Sequence, residues 1–289
     1  MTCFKIAVAC MAFLAVLTSD ILAKDVRYPV EPGRRDVEDN FAFQVLKLAL
    51  ERSGGDWNLV PSEKGAMNEN RAKLLIRRGA GVDVGWYGTY AALEKELMPV
   101  RIPIDGGLLG WRLFLIDGVR QSEFDKIQTL DDLRQLTLVQ GDGWGDIAIL
   151  EAAGMKVDTG PYSDLFTLVG AGRADAFPRG VNEAFAEHEN RVAEVPNLAI
   201  EQGIVVYYRY PMLFFVRNGN QELHDAIYGG LERAYADGSY RELFEHHPDN
   251  KVSLTTANLN NRRKFEIPNP YLSHETASIP EKYWFMPKN

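Results

Sequence analysis

The stretch that most constrains this chain is Leu136 to Leu150, LTLVQGDGWGDIAIL, in which a short apolar strand enters a glycine-rich turn and then a helix. Gly141, Gly143 and Gly145 let the backbone take tight dihedrals and come close to a guest. Backbone amides at the start of the helix can hold an anion or a polar ligand atom. The stretch therefore points to an α/β architecture with a binding loop at a strand end.

The rest of the chain repeats that grammar. Asp25 to Val30 reads as a strand, followed by a helix of about 15 residues whose apolar face holds Phe43, Val45, Leu46, Ala49 and Leu50. Gly54-Gly55 stops it. A strand WNLVP and a helix from Met67 to Arg78, with Leu74 and Leu75 inward, lead to a strand at Val82 to Trp86. This alternation favours a largely parallel sheet. Leu108 to Ile116 is a longer apolar run that suits a strand leaving one sheet for another. Thr129 and Asp132 form a capping box before the central strand. A strand near Met155 to Val157 precedes a helix that Ser163 would cap and that runs through Ala171.

GAGVDVGWYG at 79–88 and GAGRADAFPRG at 170–180 share one plan, a helix stop, an aspartate and a strand with a glycine- or proline-bearing exit. Two such βαβ-rich units with facing strand ends would make a cleft. Beyond Pro196 come the strands LAIEQGIVV and MLFFV, and a helix from Gln221 with Leu223, Ile227, Leu231 and Ala234 inward and Gly238 as its stop. The tail carries Phe265, Tyr271, Tyr283, Trp284 and Phe285, so it is expected to lie as an arm over the fold.

Residues 1–23 read as a secretory signal peptide: Lys5, an apolar run from Ile6 to Leu17, then cleavage after Ala23. Both cysteines, Cys3 and Cys10, fall inside it, so the mature chain would have no disulfide, thiolate metal site or cysteine nucleophile. The expected compartment is the periplasm, with no membrane insertion of the mature chain. A net charge of -8 argues against nucleic acid or an anionic membrane as the main partner.

Taken in order, RRGAGVDVGW, TLDDLRQLTLVQGDGWGDIAIL, GRADAF and ADGSYRELFEHH, together with the leader, resemble the type 2 periplasmic-binding-protein fold. Within that fold they are similar to extracellular solute-binding protein family 3, the substrate-binding proteins of ABC transporters. The resemblance implies two lobes, each a mixed β-sheet flanked by helices, joined by crossovers near Gly107 to Trp111 and Gly203 to Tyr210. Lobe 1 would comprise residues 24–110 and 207–250, lobe 2 residues 111–206, and the arm residues 251–289. The implied function is capture of a small metabolite by hinge closure, with an inner-membrane permease as partner and no cofactor.

Two departures bear on the ligand. Where amino-acid binders carry an arginine clamp, this chain has Leu93-Glu94-Lys95, and where they carry an acid for the ligand amine it has Pro178-Arg179-Gly180. This disfavours an ordinary α-amino acid and favours a polar or anionic solute. The candidate ligand-binding residues are Arg35 after the first strand, Trp86 and Tyr87 as stacking rings, and Gly107 at the hinge. They continue with Arg112 at the approach to the hinge, Asp142, Gly143 and Trp144 in the central turn, and Arg179 as an anion clamp. Arg101 or Arg112 could replace the missing clamp, or each could pair with a neighbouring carboxylate.

Enzymatic readings are weaker. GWGDIA fits a dinucleotide fingerprint, yet Asp158 comes too early for its acidic partner. His246-His247 lacks a third ligand at zinc spacing. A dehydratase-like cleft enzyme would need only a carboxylate such as Glu94, Asp142 or Glu183. An accessory or sensor partner of a periplasmic system is the remaining alternative.

Overall fold

The computed structural model describes residues 23–30 and 37–287. The signal-peptide reading and Arg35 lie outside the described residues. The chain forms two α/β lobes and passes between them at 101–110 and again at 208–211.

Lobe 1 begins with strand β1 (Lys24–Tyr28), helix α1 (Phe41–Ser53) and strand β2 (Trp57–Pro61), which pairs parallel to β1. Asn40 caps α1 by accepting from the amides of Ala42 and Phe43, and Gly54 closes it in the left-handed region at φ 80°. Helix α2 (Glu69–Arg78) and strand β3 (Val84–Gly88) follow, then helix α3 (Ala91–Glu96) and strand β4 (Leu97–Val100). On α2 the residues that bury fully are Ala72 and Ile76, one turn apart, while Leu74 and Leu75 sit half-buried. The leucine pair thus flanks the contact it was expected to make, because residues four apart share a helix face.

Lobe 2 opens with strand β5 (Trp111–Asp117), preceded by a single 3-10 turn at Leu108–Gly110. Short helices α4 (Gln121–Phe124) and α5 (Leu130–Leu133) lead to strand β6 (Thr137–Gly141), helix α6 (Ile147–Ala152) and strand β7 (Lys156–Gly160). The Thr129/Asp132 capping box is present on α5. Helix α7 (Tyr162–Gly170) is capped by Pro161 rather than Ser163, whose hydroxyl donates instead to Asp164 at 2.8 Å. Proline fixes φ near the helical value and steers the chain into the first turn. Strand β8 (Phe177–Gly180), helix α8 (Val181–Arg191) and strands β9 (Leu198–Ile200) and β10 (Ile204–Tyr207) complete the lobe.

Strand β11 (Met212–Arg217) returns to lobe 1 and lies between β3 and β4, antiparallel to both. Strand β5 is likewise antiparallel to β8, β9 and β10, whereas β6 and β7 are parallel. The expectation of a largely parallel sheet therefore holds for half of each lobe. The chain that crosses between lobes enters each sheet against the direction of its neighbours.

Helices α9 (Gln221–Asp237) and α10 (Ser239–His246) back lobe 1, with Leu223, Ile227, Leu231 and Ala234 buried and Gly238 at φ 84° between them. Helix α11 (Pro248–Thr256) then crosses to α8 of lobe 2, where Ser253 Oγ donates to the Val181 carbonyl at 2.7 Å. Strand β12 (Arg263–Glu266) joins β10 in parallel, and the short helix α12 (His274–Ala277) lies back on lobe 1. The tail is thus an arm with a strand of its own. Tyr283 and Trp284 are buried in it, whereas Tyr271 stays 42% exposed, so one of the five aromatics is left in water.

Candidate functional site

The junction of the lobes is built around Arg112, at the start of β5. A guanidinium in an otherwise apolar strand must find acceptors, since an unpaired buried charge costs several kcal/mol. Arg112 is 2% exposed; its Nε donates to Tyr208 Oη at 2.7 Å and its Nη2 to Asp146 Oδ2 at 2.6 Å. Tyr208 Oη and Gln140 Nε2 also donate to Asp146 Oδ2, at 2.9 and 2.8 Å. The rings of Tyr208 and Tyr210 lie beside the guanidinium at 5.6 and 5.7 Å. Of the alternatives left open by the sequence, Arg112 takes the paired one, and Arg101 does the same with Glu94 at 2.9 Å.

A second cluster lies at the end of β8. Arg179 donates twice to Glu187, at 2.6 and 2.7 Å, and pairs with Glu183 at 3.0 Å. Its guanidinium rests on Trp144, 4.5 Å from the ring centre, with Phe177 at 5.0 Å. Its charge is thus matched by two carboxylates of α8, at the third and seventh positions of that helix. Between the two clusters, Asp105 is fully buried and accepts from the amides of Gly107 and Leu109 at 2.9 and 2.8 Å and from Asn182 Nδ2 at 3.3 Å.

Burial pushes the Asp105 carboxyl up to about 6, against the pull of its backbone hydrogen bonds. Burial alone would lower both buried arginines, but the surrounding carboxylates outweigh it, so Arg112 and Arg179 remain firmly charged. Tyr208 and Tyr210 are pushed well up by burial and stay protonated. Three buried polar atoms in this region, Arg112 Nη1, Gln140 Oε1 and Asn182 Oδ1, have no hydrogen-bond partner among the described residues. Arg112 Nη1 faces Glu183 Oε2 as an ion pair at 3.6 Å, which leaves two spare acceptors that can serve a guest with donor groups.

The central turn faces lobe 1 directly. A Cβ added at Gly143 would come 2.8 Å from the Asn70 amide of α2, and one at Gly145 would come 2.8 Å from Tyr90 and from Tyr210 Oη. The close approach that these glycines permit is made by the chain's own side chains. Asp142 and Gly143 are exposed and Trp144 is half-buried. Asp146 stands at the start of α6, so a carboxylate of the protein sits where the helix start could have held an anion.

Other expected residues are placed elsewhere. Trp86 packs edge-on to Phe214 at 6.4 Å, and Tyr87 lies against Phe215 with Lys73 Nζ 4.7 Å from its ring centre. Both rings are buried in the lobe 1 core, where the expectation had them stacking on a ligand. Gly107 is covered by the arm, since a Cβ there would come 2.6 Å from the Trp284 ring. Glu94 accepts from Thr89, Arg101, Ser273 and Thr276 at 2.7 to 2.9 Å. Burial would raise its pKa, yet those four bonds prevail and the carboxyl is held low.

Tyr90, Asn70, Gln140, Asp146, Asn182, Tyr208 and Tyr210 were not singled out from the sequence. A cation inside an apolar strand was the available signal that a carboxylate partner existed, though not which one. His247 caps α11 and its ring lies 5.1 Å from Phe41. Among the described residues no group of three or more His, Cys, Asp or Glu is arranged to hold a metal ion, and no helix is long and apolar enough to cross a membrane.

No protein-family model matches the chain, and no curated protein matches it in sequence. Solved structures do. An ancestral arginine-binding protein bound to glutamine superposes with a TM-score of 0.57 at 20% identity, over 79% of this chain and 99% of that one. A putative ABC-transporter binding component from Wolinella succinogenes, complexed with lysine, gives 0.56 at 17% identity over 77% and 94%. An ancestral amino-acid-binding protein, a precursor of cyclohexadienyl dehydratase, gives 0.54 at 17% identity over 76% and 93%. The chain has their fold, the two-lobed type 2 periplasmic-binding-protein architecture.

Proposed function

We propose that the chain is a solute-binding protein that takes a small polar metabolite between its two lobes and hands it to an ABC-type permease, with the periplasm as its compartment. The observation that carries this reading is the buried polar set at the lobe junction, where Gln140 Oε1 and Asn182 Oδ1 are acceptors with no donor among the described residues. Buried groups of this kind are costly unless something satisfies them. The fold and the two crossovers support a hinge that would bring the lobes onto a guest.

The anionic preference inferred from Arg179 loses its ground, because Glu183 and Glu187 already balance that cation. The structural neighbours named above are described with glutamine and lysine bound, so amino acids with amide or cationic side chains stand first among the solutes to try. Organic acids, amines and sugars follow.

A melting-temperature screen of residues 24–289 against those solutes tests the proposal. A ligand at a hundred times its dissociation constant adds about 2.7 kcal/mol to the stability, a shift well within reach of the method. A saturable rise with one solute class is the expected result, and no rise with any of them would count against solute capture. The second reading, an accessory protein that docks rather than delivers, is favoured by Tyr90, Tyr210 and Asn70 packing onto the central turn.

A further inference from the structure

The arm runs over both crossovers. After β12 the amide of Ile267 donates to the Tyr207 carbonyl at 3.0 Å, and Ile267 is buried in the lobe 2 core. Asn269 Nδ2 then donates to the carbonyl of Arg209, in the second crossover, at 2.8 Å. The Tyr271 carbonyl accepts from Ala91 at 2.8 Å, and Ser273 and Thr276 donate to Glu94, all on lobe 1. Glu281 pairs with Arg209 at 2.5 Å, and the Arg209 guanidinium lies 4.4 Å from the Trp284 ring centre. At its far end Phe285 donates to the Gly106 carbonyl, in the first crossover, at 2.7 Å, beside the Trp284 ring on Gly107.

Gly106 and Gly107 stand at φ 61° and 81°. Successive left-handed glycines give a crossover the freedom to rotate. A hinge closes or opens by dihedral changes at a few such residues. Here a carbonyl in each crossover is bonded to the arm, and side chains of the arm cover the glycines.

From these contacts we infer that residues 267–285 act as a strap that fixes the angle between the lobes, so that opening requires the strap to lift. Its anchor on lobe 1 is Glu94, whose side chain is 4% exposed. The anchor on the hinge is the Arg209–Trp284–Gly107 stack. The strap is a property of the chain by itself and holds whether or not the cleft takes a solute.

The test is electron–electron distance measurement on the mature full chain, spin-labelled through Lys47→Cys on lobe 1 and Glu151→Cys on lobe 2, both exposed. It is done without solute, so its outcome is separate from that of the melting screen. The strapped chain should give one narrow distance distribution. With Glu94→Gln and Trp284→Ala added, the distribution should widen and its mean should move outward by a few ångströms. An unchanged narrow distribution in that variant, or a broad one already present with the strap intact, would overturn the inference. Circular dichroism checks the fold of the double variant. If it fails that check, Ser273→Ala with Thr276→Val in place of the two substitutions carries the same comparison with the same two outcomes.

Discussion

At the scale of the residue, the lobe junction is a set of buried charges that have chosen partners. Arg179 shows what this means for stability. Removing one member of a buried pair leaves the others uncompensated, so Arg179→Ala should cost about 3 kcal/mol with no ligand present. Thermal or urea unfolding of the ligand-free protein reads this directly, and an unchanged midpoint would mean that the guanidinium is held free for a guest. Asp105 makes a pH prediction. Its folded pKa of about 6 lies above its ordinary 3.8, so the fold prefers the protonated form. Stability from this group is full below pH 3.8, is lost as the pH rises to about 6, and is flat beyond; the change is on the order of 3 kcal/mol. The stability difference between the wild type and Asp105→Asn should therefore move by that amount between pH 4 and pH 7, and a constant difference would contradict the assignment. The sequence made Arg112 conspicuous as a cation within WRLFL, but its partner Asp146 is 34 positions away. Pairings of that range follow from how the strands stack, which no local pattern records.

At the scale of the element, local chemistry was legible wherever it was self-contained. The Thr129/Asp132 box, the glycine stops at Gly54 and Gly238 and the four inward positions of α9 all depend on neighbours within two turns. What the sequence could not convey was why α9 carries Gly229-Gly230 in mid-helix, where glycine costs up to about 1 kcal/mol relative to alanine. The structure supplies the reason: a Cβ on Gly230 would drive into the backbone carbonyl of Ala49, so the glycine lets α1 and α9 come together. Gly230→Ala should destabilise by about 1 to 3 kcal/mol despite its gain in helix propensity. Gly229→Ala meets only the flexible end of Arg233 and should be neutral or stabilising. Denaturation midpoints of the two variants separate close packing from propensity, and equal effects would remove the packing account. Strand β12 escaped the sequence reading because RKFE carries no alternating apolar face; it is held by its parallel pairing to β10 and by Arg263, which bonds the Ile127 carbonyl.

At the scale of the whole molecule, the order of helix stops, strands and glycine turns pointed to two βαβ-rich units facing a cleft, and the two lobes with their crossovers came from the family resemblance. The resemblance put the crossovers near Gly107–Trp111 and Gly203–Tyr210; in the structure the apolar strands re-enter a sheet at Trp111 and at Met212. The candidate site was less legible than the fold. Trp86, Tyr87 and Gly107 were drawn from strand ends and glycines that the core and the arm in fact use, whereas the junction is furnished by Tyr208 and Tyr210 from the second crossover. A cleft between lobes is assembled from segments far apart in the chain, so its lining depends on the final angle between them. Solute capture across that junction is most directly checked by amide hydrogen exchange on residues 24–289, with and without the solute that raises the melting temperature most. Slowed exchange in Gly141–Asp146 and in Tyr87–Tyr90 together, on facing lobes, is the predicted result. Slowing confined to one lobe, or none with any solute, would contradict it.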